Sequence, residues 1–391
     1  MWEQHYVTTG KLPELRVGLI GYGFIGKVHT LAYQSLPMMY DPMPARVRLA
    51  AVCAASRTSV HKAIAQGGFE SGTTDWREVV ERDDIDIIDC CTPNSLHRDI
   101  VVAALRAGKH VYCDKPLAAN LSQAREIVAA ARVSPGRHQM TFQNRFWPAI
   151  MRARQLMEEG FLGRVFGFRA CYLHAGYTDP NRPLTWRLDA SEGGGALVDL
   201  GSHVLDLLRY LLGDIADVFA TTETFIRERP LPGATGRKAP VAVDDVALLT
   251  LRMANGAIGT LEASRLATGA TDDLRLEIHG QLGALRFSQM DADWLYAFDA
   301  RDPEVPLGGQ RGFKAIETVQ RYPPPAVLPG PKFATGWLRT HIACQYALIA
   351  SIAAGQPCRP DLEDGLKVQE AMEAAYLSAR QGGWVTLPLP E

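Results

Sequence analysis

A glycine turn near the N-terminus constrains the fold of this chain more than any other feature. The turn, Gly21-Tyr22-Gly23-Phe24-Ile25-Gly26, joins a short β-rich run, Arg16 to Ile20, to a helical pattern from Phe24 to Leu36. A strand, a glycine turn and a helix in this order form the first part of a βαβ unit. There Gly21 permits the tight turn, Gly23 lets the backbone approach a pyrophosphate, and Gly26 allows close packing of the helix on the strand. The pattern predicts a Rossmann domain that binds a dinucleotide through Gly21, Gly23, Phe24, Ile25 and Gly26, with its phosphates at the helix N-terminus.

Length and charge exclude several classes of protein. The 391 residues exceed one ordinary core, and we expect two domains, 1–145 and 146–391. A formal net charge of −2 gives no electrostatic reason to expect a nucleic acid or an anionic membrane as partner. No apolar run approaches the roughly 20 residues of a membrane-spanning helix, and Met1 to Lys11 lack the apolar core of a signal peptide. We therefore expect a cytoplasmic protein.

The 7 cysteines do not indicate a metal site or a disulfide framework. They include no Cys-x-x-Cys pair, and Cys90 and Cys91 are adjacent within an apolar run. A zinc site or a set of disulfides needs other spacings. We expect buried free thiols and no bound metal.

The residues that follow the second predicted strand, Val47 to Cys53, indicate which cofactor the domain binds. NAD-binding domains usually place Asp or Glu there, because a carboxylate accepts hydrogen bonds from the ribose hydroxyls. This chain has Ala54-Ala55-Ser56-Arg57 instead. The missing carboxylate removes repulsion against a 2′-phosphate, and Ser56 and Arg57 offer a hydroxyl and a guanidinium to hold one. The sequence favours NADP, with NAD possible, and the alternative is that Arg57 is a solvated loop residue.

Two later strand ends carry further polar residues. The buried strand Asp86 to Cys91 ends in Thr92-Pro93-Asn94, and the strand Lys109 to Tyr112 ends in Cys113-Asp114-Lys115-Pro116. In a doubly wound sheet, ligands bind beyond the carboxyl ends of the strands. We therefore expect Asn94, Lys115 and His97, which opens the intervening helix, to line one crevice. The proline after Lys115 permits a cis peptide bond.

The second half of the chain changes to a run of strands. Two predicted helices, Pro148 to Glu159 and Ala196 to Leu212, flank a strand from Gly163 to Leu173. Alternating strands follow over 215–226, 246–253, 257–265, 274–279 and 284–287. Asn255-Gly256 between two of them is typical of a hairpin. We expect a mostly antiparallel sheet with one solvent-facing side, the kind of surface that binds a partner subunit.

Prolines and glycines dominate the stretch 302–336. A lid or an arm that reaches another subunit and a disordered surface loop are equally compatible with this composition. Two predicted helices, Thr340 to Ala354 and Leu362 to Arg380, close the chain.

Lys115, Asp199 and His203 form the candidate catalytic group. Asp199 and His203 stand four residues apart on a predicted helix and so share one face. A histidine with a pKa near neutral can accept the proton that a secondary alcohol releases when it loses a hydride. Asp199 can orient the substrate or raise the basicity of the imidazole, and Lys115 can hydrogen-bond the reacting oxygen. The alternative is a purely structural pair of Asp199 and His203.

Several separated motifs resemble the Gfo/Idh/MocA family, named after glucose–fructose oxidoreductase and inositol dehydrogenase. They are the glycine turn, Thr92-Pro93-Asn94-Ser95-Leu96-His97, Asp114-Lys115-Pro116, Gln143-Asn144-Arg145-Phe146 and Asp199-Leu200-Gly201-Ser202-His203. The family usually has Glu-Lys-Pro at the third motif. More narrowly, Pro183-Leu184-Thr185-Trp186-Arg187 and Leu276-Glu277-Ile278-His279-Gly280 are similar to the levoglucosan dehydrogenase branch, which uses NAD and oxidises a pyranose hydroxyl. The lack of a carboxylate after the second strand departs from that branch.

The resemblance implies a Rossmann domain followed by a domain with a large, mostly antiparallel sheet that joins subunits into a homodimer or homotetramer. It implies an NAD(P)-dependent dehydrogenase of a sugar, glycoside or cyclic polyol, with His203 as acid/base and Lys115 at the carbinol oxygen. A reductase of keto-sugars or a dihydrodiol dehydrogenase is the alternative reaction. A nucleotide-sensing regulatory protein without catalysis is the alternative of another class.

The predicted contacts extend beyond the catalytic group. For the cofactor they add to the glycine turn Ser56, Arg57, Thr92, Pro93, Asn94, His97, Asp114, Lys115, Asn144, Trp186 and Arg187. For the substrate they are Lys115, Arg145, His174, Tyr177, Trp186, Asp199 and His203. Aromatic rings and hydrogen-bonding groups suit a ring with apolar faces and many hydroxyls. Trp186 as a packing residue is the alternative.

Overall fold

The computed structural model describes residues 12–234 and 236–390. Its first part is a parallel sheet of β1 (Glu14–Ile20), β2 (Arg46–Cys53), β3 (Ser71–Thr73), β4 (Ile87–Cys90), β5 (His110–Cys113) and β6 (His138–Met140). The strands lie in the order β3-β2-β1-β4-β5-β6. The helices between them are α1 (Phe24–Met39), α2 (Arg57–Gly67), α3 (Trp76–Val80), α4 (His97–Arg106) and α5 (Leu121–Val133).

This sheet confirms the predicted Rossmann domain. All residues of β4 are buried, as expected for a central parallel strand that is covered on both faces. The strand order reverses between β1 and β4, and ligands bind at the carboxyl ends of the strands at such a point. The glycine turn follows β1 there, and the peptide bond between Lys115 and Pro116 after β5 is cis.

The second part is a nine-stranded sheet. Its strands are β7 (Val165–Leu173), β8 (Ile215–Glu223), β11 (Val246–Met253), β12 (Ile258–Ser264), β13 (Asp273–Gly280), β14 (Gly283–Ser288), β15 (Trp294–Asp299), β16 (Lys314–Glu317) and β17 (Val385–Thr386). Their order is β16-β15-β14-β13-β7-β12-β11-β8-β17. Only the pair of β7 and β12 is parallel among these strands, which confirms the mostly antiparallel sheet. β9 (Glu228–Pro230) and β10 (Lys238–Pro240) form a separate hairpin.

The two faces of this sheet differ. Three helices pack on the inner face: α6 (Pro148–Glu158), α7 (Ser202–Leu212) and α9 (Leu362–Gln381). Along β11 the side chains alternate, so Leu249 is buried while Leu248 is half exposed. We call the solvent-facing side, which includes Phe219, Leu248, Thr250 and Thr260, the outer sheet face.

The helix α8 (Trp337–Ala353) belongs to the second half of the sequence but packs on the first. Its Ile342 and Leu348 lie in one apolar cluster with Leu36 of α1. Tyr346 stacks on Tyr40 with ring centroids 3.7 Å apart. The predicted boundary at residue 145 separates the two sheets along the chain, but α8 lies in space with the Rossmann domain. Of the described helices, none is long and apolar enough to cross a bilayer.

The stretch 302–336 follows an ordered course. It contributes β16, which the sequence did not predict, to the edge of the large sheet. The amides of Thr318 and Thr335 donate to the carbonyl and the side chain of Asp293, each at 2.8 Å. Ala326 pairs with Tyr40 at the end of α1. The stretch therefore connects the large sheet with the Rossmann domain.

Candidate active site

A cavity of about 450 Å³ lies over the glycine turn. A Cβ on Gly21, whose φ is +101°, would lie 2.5 Å from the Cys91 carbonyl oxygen, and a Cβ on Gly26 would lie 2.0 Å from the Gly21 carbonyl oxygen. A Cβ on Gly23 would meet nothing within 4 Å. Close packing therefore explains Gly21 and Gly26, whereas Gly23 faces open space that a phosphate group can fill.

The N-terminus of α1 opens into this nucleotide cavity. Gly23 is its N-cap and supplies no side chain to bond the first amides. Those amides remain available to an anion, so the turn fits the pyrophosphate of a dinucleotide. Nine predicted cofactor contacts line the cavity: Gly21, Gly23, Phe24, Ile25, Thr92, Pro93, Asp114, Trp186 and Arg187.

Seven predicted cofactor contacts do not line the nucleotide cavity, and three of these, His97, Asn94 and Asn144, are held by hydrogen bonds around it. His97 is fully buried and bonds the carbonyl oxygens of Pro116 and Thr92, each at 3.0 Å from a ring nitrogen. The side-chain amide of Asn94 donates to the Gly193 carbonyl at 3.0 Å. Asn144 accepts a bond from the indole of Trp147 at 3.2 Å. His97 and Asn94 thus bond the backbone of loops around the cavity, while the Nδ2 atom of Asn144 has no hydrogen-bond partner among the described residues.

The adenosine end of the cavity carries no acidic side chain among its described lining residues, which are Cys53, Ala54, Ala55, Ser59, Thr74 and Trp76. Ser56 and Arg57 do not line the cavity directly. The Ser56 hydroxyl caps α2 by accepting a bond from the Ser59 amide at 3.2 Å, and Arg57 is exposed at the first turn of that helix.

A second cavity of about 390 Å³ adjoins the first and contains the candidate catalytic group. The Lys115 ammonium donates to the Asp199 carbonyl at 2.7 Å and to Asp199 Oδ1 at 2.9 Å. The other carboxylate oxygen of Asp199 pairs with the Arg265 guanidinium, and Arg187 Nε lies 3.7 Å from Oδ1. Three cations thus surround Asp199.

The predicted pairing of Asp199 with His203 is not made. Residues 197–201 form a π-helical turn ahead of α7, so a four-residue spacing does not follow the α-helical geometry on which the prediction relied. His203 instead packs against Tyr172, with ring centroids 5.7 Å apart. The His203 Nδ1 atom is buried and has no hydrogen-bond partner in the described part of the chain.

Burial sets the charge of the two proton-carrying groups. It lowers the pKa of Lys115 from its usual 10.5 to about 7, an effect that Asp114 opposes and that Arg187 and Arg265 increase. The Asp199 carboxylate also opposes it, because it stabilises the ammonium. Burial lowers the pKa of His203 well below 6.5, and the charges of Lys115 and His174 lower it further. His203 is therefore neutral near pH 7 and able to accept a proton.

Two predicted substrate contacts do not reach the second cavity. Arg145 is buried and forms a two-pronged ion pair with Asp206 of α7, and it also approaches Asp364 of α9 at 3.4 Å. Tyr177 is buried beside Leu188, and the Arg265 guanidinium lies 4.3 Å from its ring centroid. In both cases strong local partners hold the side chain away from the cavity, so we correct these two assignments to supporting roles. Lys115, His174, Trp186, Asp199 and His203 do line it.

Sequence reasoning missed several residues of this cavity. It also missed Arg265, which does not line the cavity but pairs with Asp199; Arg265 lies just after β12, and a charged residue that closes an apolar strand was its signal. Trp337 and His341 come from α8, where Trp337 stacks on Phe24 with centroids 5.9 Å apart. Asp272 precedes β13 and Gln143 lies in a recognised motif. Trp337, His341 and Asp272 have no local pattern that marks them as functional, whereas Gln143 belongs to a motif in which only the neighbouring residues were assigned to the site.

Two adjoining cavities, one suited to a dinucleotide and the other holding a lysine and a neutral histidine, define a dinucleotide-dependent oxidoreductase. Residues 15–142 match the oxidoreductase family with an NAD-binding Rossmann fold, and residues 150–286 match the GFO/IDH/MocA C-terminal domain. The chain belongs to the Gfo/Idh/MocA family of oxidoreductases.

Known relatives agree with this membership. The chain is 37% identical over 390 residues to levoglucosan dehydrogenase of Pseudarthrobacter phenanthrenivorans, covering 96% of this chain and 99% of that protein. It is 26% identical over 299 residues to myo-inositol 2-dehydrogenase of Thermotoga maritima, covering 76% and 79%. The solved structure of levoglucosan dehydrogenase with NADH and levoglucosan is similar with a TM-score of 0.92 and 38% identity, covering 96% of this chain and 99% of that one.

Proposed function

We propose that the protein is a dehydrogenase that moves a hydride between a secondary alcohol of a sugar, glycoside or cyclic polyol and a nicotinamide. One observation carries the proposal: Lys115, Asp199 and His203 meet in a cavity that shares Phe24, Ile25, Asp114, Trp186 and Arg187 with the nucleotide cavity. A substrate held there lies next to the end of the bound dinucleotide.

Each side chain of the group has a distinct task in this reaction. The bound nicotinamide supplies the hydride acceptor. His203, neutral near pH 7, takes the hydroxyl proton as the C–H bond breaks and the carbonyl forms. The Lys115 ammonium hydrogen-bonds the carbinol oxygen and stabilises the negative charge that develops on it. Asp199 holds the Lys115 ammonium in place at 2.9 Å rather than acting on the imidazole.

The substrate class is supported by the lining of the cavity and by the relatives. Trp186 and Trp337 offer apolar ring faces, and His174, Asp272 and Gln143 offer hydrogen bonds. A polyhydroxylated ring presents both kinds of surface. The named relatives are a levoglucosan dehydrogenase and a myo-inositol 2-dehydrogenase.

We also propose that the cofactor is preferentially NADP. The described lining of the adenosine end has no carboxylate that would repel a 2′-phosphate, and Arg57 stands exposed at the N-terminal turn of α2. A helix N-terminus and a guanidinium both favour an added phosphate.

A panel of polyols and glycosides, levoglucosan and myo-inositol included, tests both proposals when it is assayed with NADP and NAD side by side. We expect reduced nicotinamide to form with at least one compound and kcat/KM to be higher with NADP. In Lys115→Ala, turnover should fall by about 10²- to 10⁴-fold while the cofactor still binds. Lys367→Ala, which removes an exposed lysine of α9, is the control.

Two results would count against these assignments. Unchanged turnover in Lys115→Ala would remove Lys115 from the reaction. Faster and tighter use of NAD than of NADP would overturn the cofactor preference and leave the dehydrogenase itself standing.

A further inference from the structure

A carboxylate with no task in the proposed hydride transfer lies in the substrate cavity. Asp272 Oδ1 accepts hydrogen bonds from the Tyr172 hydroxyl at 2.7 Å and from His174 Nε2 at 2.9 Å. Its Oδ2 accepts a bond from the side-chain amide of Gln289. We call these four residues the Asp272 cluster.

The hydrogen bonds of the cluster hold the Asp272 side chain in position but leave part of its carboxylate exposed to the cavity. Tyr172 is 4% exposed, whereas the Asp272 side chain is 42% exposed, and both line the cavity with Lys115 and His203. A carboxylate oxygen accepts more than one hydrogen bond, and Oδ2 receives one from the described residues. Asp272 is therefore held in position and can accept a further hydrogen bond from a molecule bound in the cavity.

The carboxylate is ionised at neutral pH. Burial by itself raises the pKa of Asp272, but the hydrogen bonds from His174, Tyr172 and Gln289 outweigh burial and bring the pKa below 3.8. An ionised carboxylate only accepts hydrogen bonds, and bonds to it are stronger than those between neutral groups. Its natural partner in this cavity is a hydroxyl group that donates.

The position of Asp272 relative to the reacting groups decides which hydroxyl it meets. The Tyr172 ring packs on His203 with centroids 5.7 Å apart, and the hydroxyl at its far end bonds Asp272. Asp272 thus stands one tyrosine side chain away from His203. A ring that places its carbinol at His203 and Lys115 can turn a different hydroxyl towards Asp272.

We propose that Asp272 binds a sugar hydroxyl remote from the reacting carbinol and so selects polyhydroxylated rings over simple secondary alcohols. This inference rests on the proposed function. A site built to bond a hydroxyl discriminates strongly against an analogue that lacks it, because the protein group is then left without its partner.

The test compares the wild-type protein with Asp272→Asn, using the panel polyol of highest kcat/KM and its monodeoxy analogues. Kd is measured by calorimetry with reduced cofactor present, and kcat and KM by nicotinamide absorbance. We expect Asp272→Asn to raise Kd and KM for the parent polyol by about 10- to 100-fold and to change kcat much less. One deoxy analogue should bind the wild type as weakly as the parent binds the variant, and the variant should weaken its binding no further.

Asp291→Asn is the matched control, because Asp291 also accepts a tyrosine hydroxyl, that of Tyr296 at 2.7 Å, but is exposed and outside the cavity. It should leave every constant unchanged. If the wild type oxidises the polyol while Asp272→Asn binds parent and analogues as the wild type does, the inference is wrong and the proposed function stands. An equal loss for the parent and all analogues also overturns it, since that indicates general disturbance of the cavity. A wild type that neither binds nor oxidises any panel compound overturns the proposed function and this inference together.

Discussion

At the scale of single residues, the partners of Asp199 determine the chemistry of the site. The sequence pattern paired Asp199 with His203, but the structure pairs it with Lys115 and Arg265. A carboxylate beside an imidazole would raise the basicity of that ring, whereas a carboxylate beside a buried ammonium keeps the ammonium charged. Because the pKa of Lys115 is about 7 and that of His203 lies well below 6.5, there is a pH range in which Lys115 is the protonated hydrogen-bond donor and His203 the neutral acceptor.

Asp199→Asn is expected to move the alkaline limb of the kcat/KM profile for alcohol oxidation to lower pH. The reaction requires protonated Lys115, so activity is lost as pH rises through the pKa of that group. Burial already lowers this pKa to about 7, and removing the Asp199 carboxylate, which lies 2.9 Å from the ammonium, while Arg187 and Arg265 remain lowers it further. The acid limb follows His203, whose pKa is well below 6.5, and should move little.

The measurement is kcat/KM against pH for wild type, Asp199→Asn and the control Glu192→Gln, which changes an acidic side chain bonded to Ser95. An alkaline limb at the wild-type position in Asp199→Asn would show that Asp199 does not set the charge of Lys115.

At the scale of elements, the sequence predicted the existence of most helices and strands but not the turn that carries Asp199. The continuous apolar run of β4 and the alternation along β11 are properties of the local sequence, and both strands were found. The π-helical turn at 197–201 depends on Asp244, whose Oδ2 accepts the Leu197 amide at 2.8 Å and whose Oδ1 accepts the Tyr376 hydroxyl at 2.6 Å. Because those partners lie far along the chain, a local pattern could not reveal the turn.

Gly195→Ala is expected to disturb this turn and with it the catalytic group. Gly195 has φ +125°, and a Cβ there would lie 2.3 Å from Asp244 Oδ1. We expect a loss of about 2–4 kcal/mol in the free energy of unfolding, from backbone strain together with the displaced Asp244, and a fall in kcat. Chemical denaturation and steady-state kinetics provide the two readouts.

Gly382→Ala is the control for backbone strain alone, because Gly382 has φ +69° and open space where its Cβ would lie. This substitution should lower the free energy of unfolding by about 1 kcal/mol and leave kcat unchanged. Equal losses of stability and activity in both variants would mean that Asp244 does not hold the turn in its working position.

At the scale of the whole molecule, the substrate cavity collects residues from segments that are far apart in sequence. Lys115 follows a Rossmann strand, Asp272 precedes a strand of the large sheet, and His341 lies on α8. Lys115 and His203 could be found from the sequence because each lies within a short, recognisable motif. Arg265, Asp272 and His341 sit in stretches whose local pattern only describes a strand end or a helix, so tertiary packing alone brings them to the site.

The outer sheet face leads to a prediction about assembly, which we propose is a homodimer or homotetramer. Leu248 is 50% exposed on this face, and Phe219 of the neighbouring strand β8 is also exposed. A broad face that mixes such side chains with paired charges is the kind of surface that a second subunit covers.

We expect sedimentation velocity of the wild type to give a multiple of the 42.8 kDa chain mass. Leu248→Glu should dissociate this oligomer, because a buried, unpaired carboxylate opposes association. Val133→Glu, at an 85% exposed position on α5, should leave the assembly intact. A wild type that sediments as a single chain would contradict the proposed assembly, and an intact oligomer in Leu248→Glu would place its interface elsewhere.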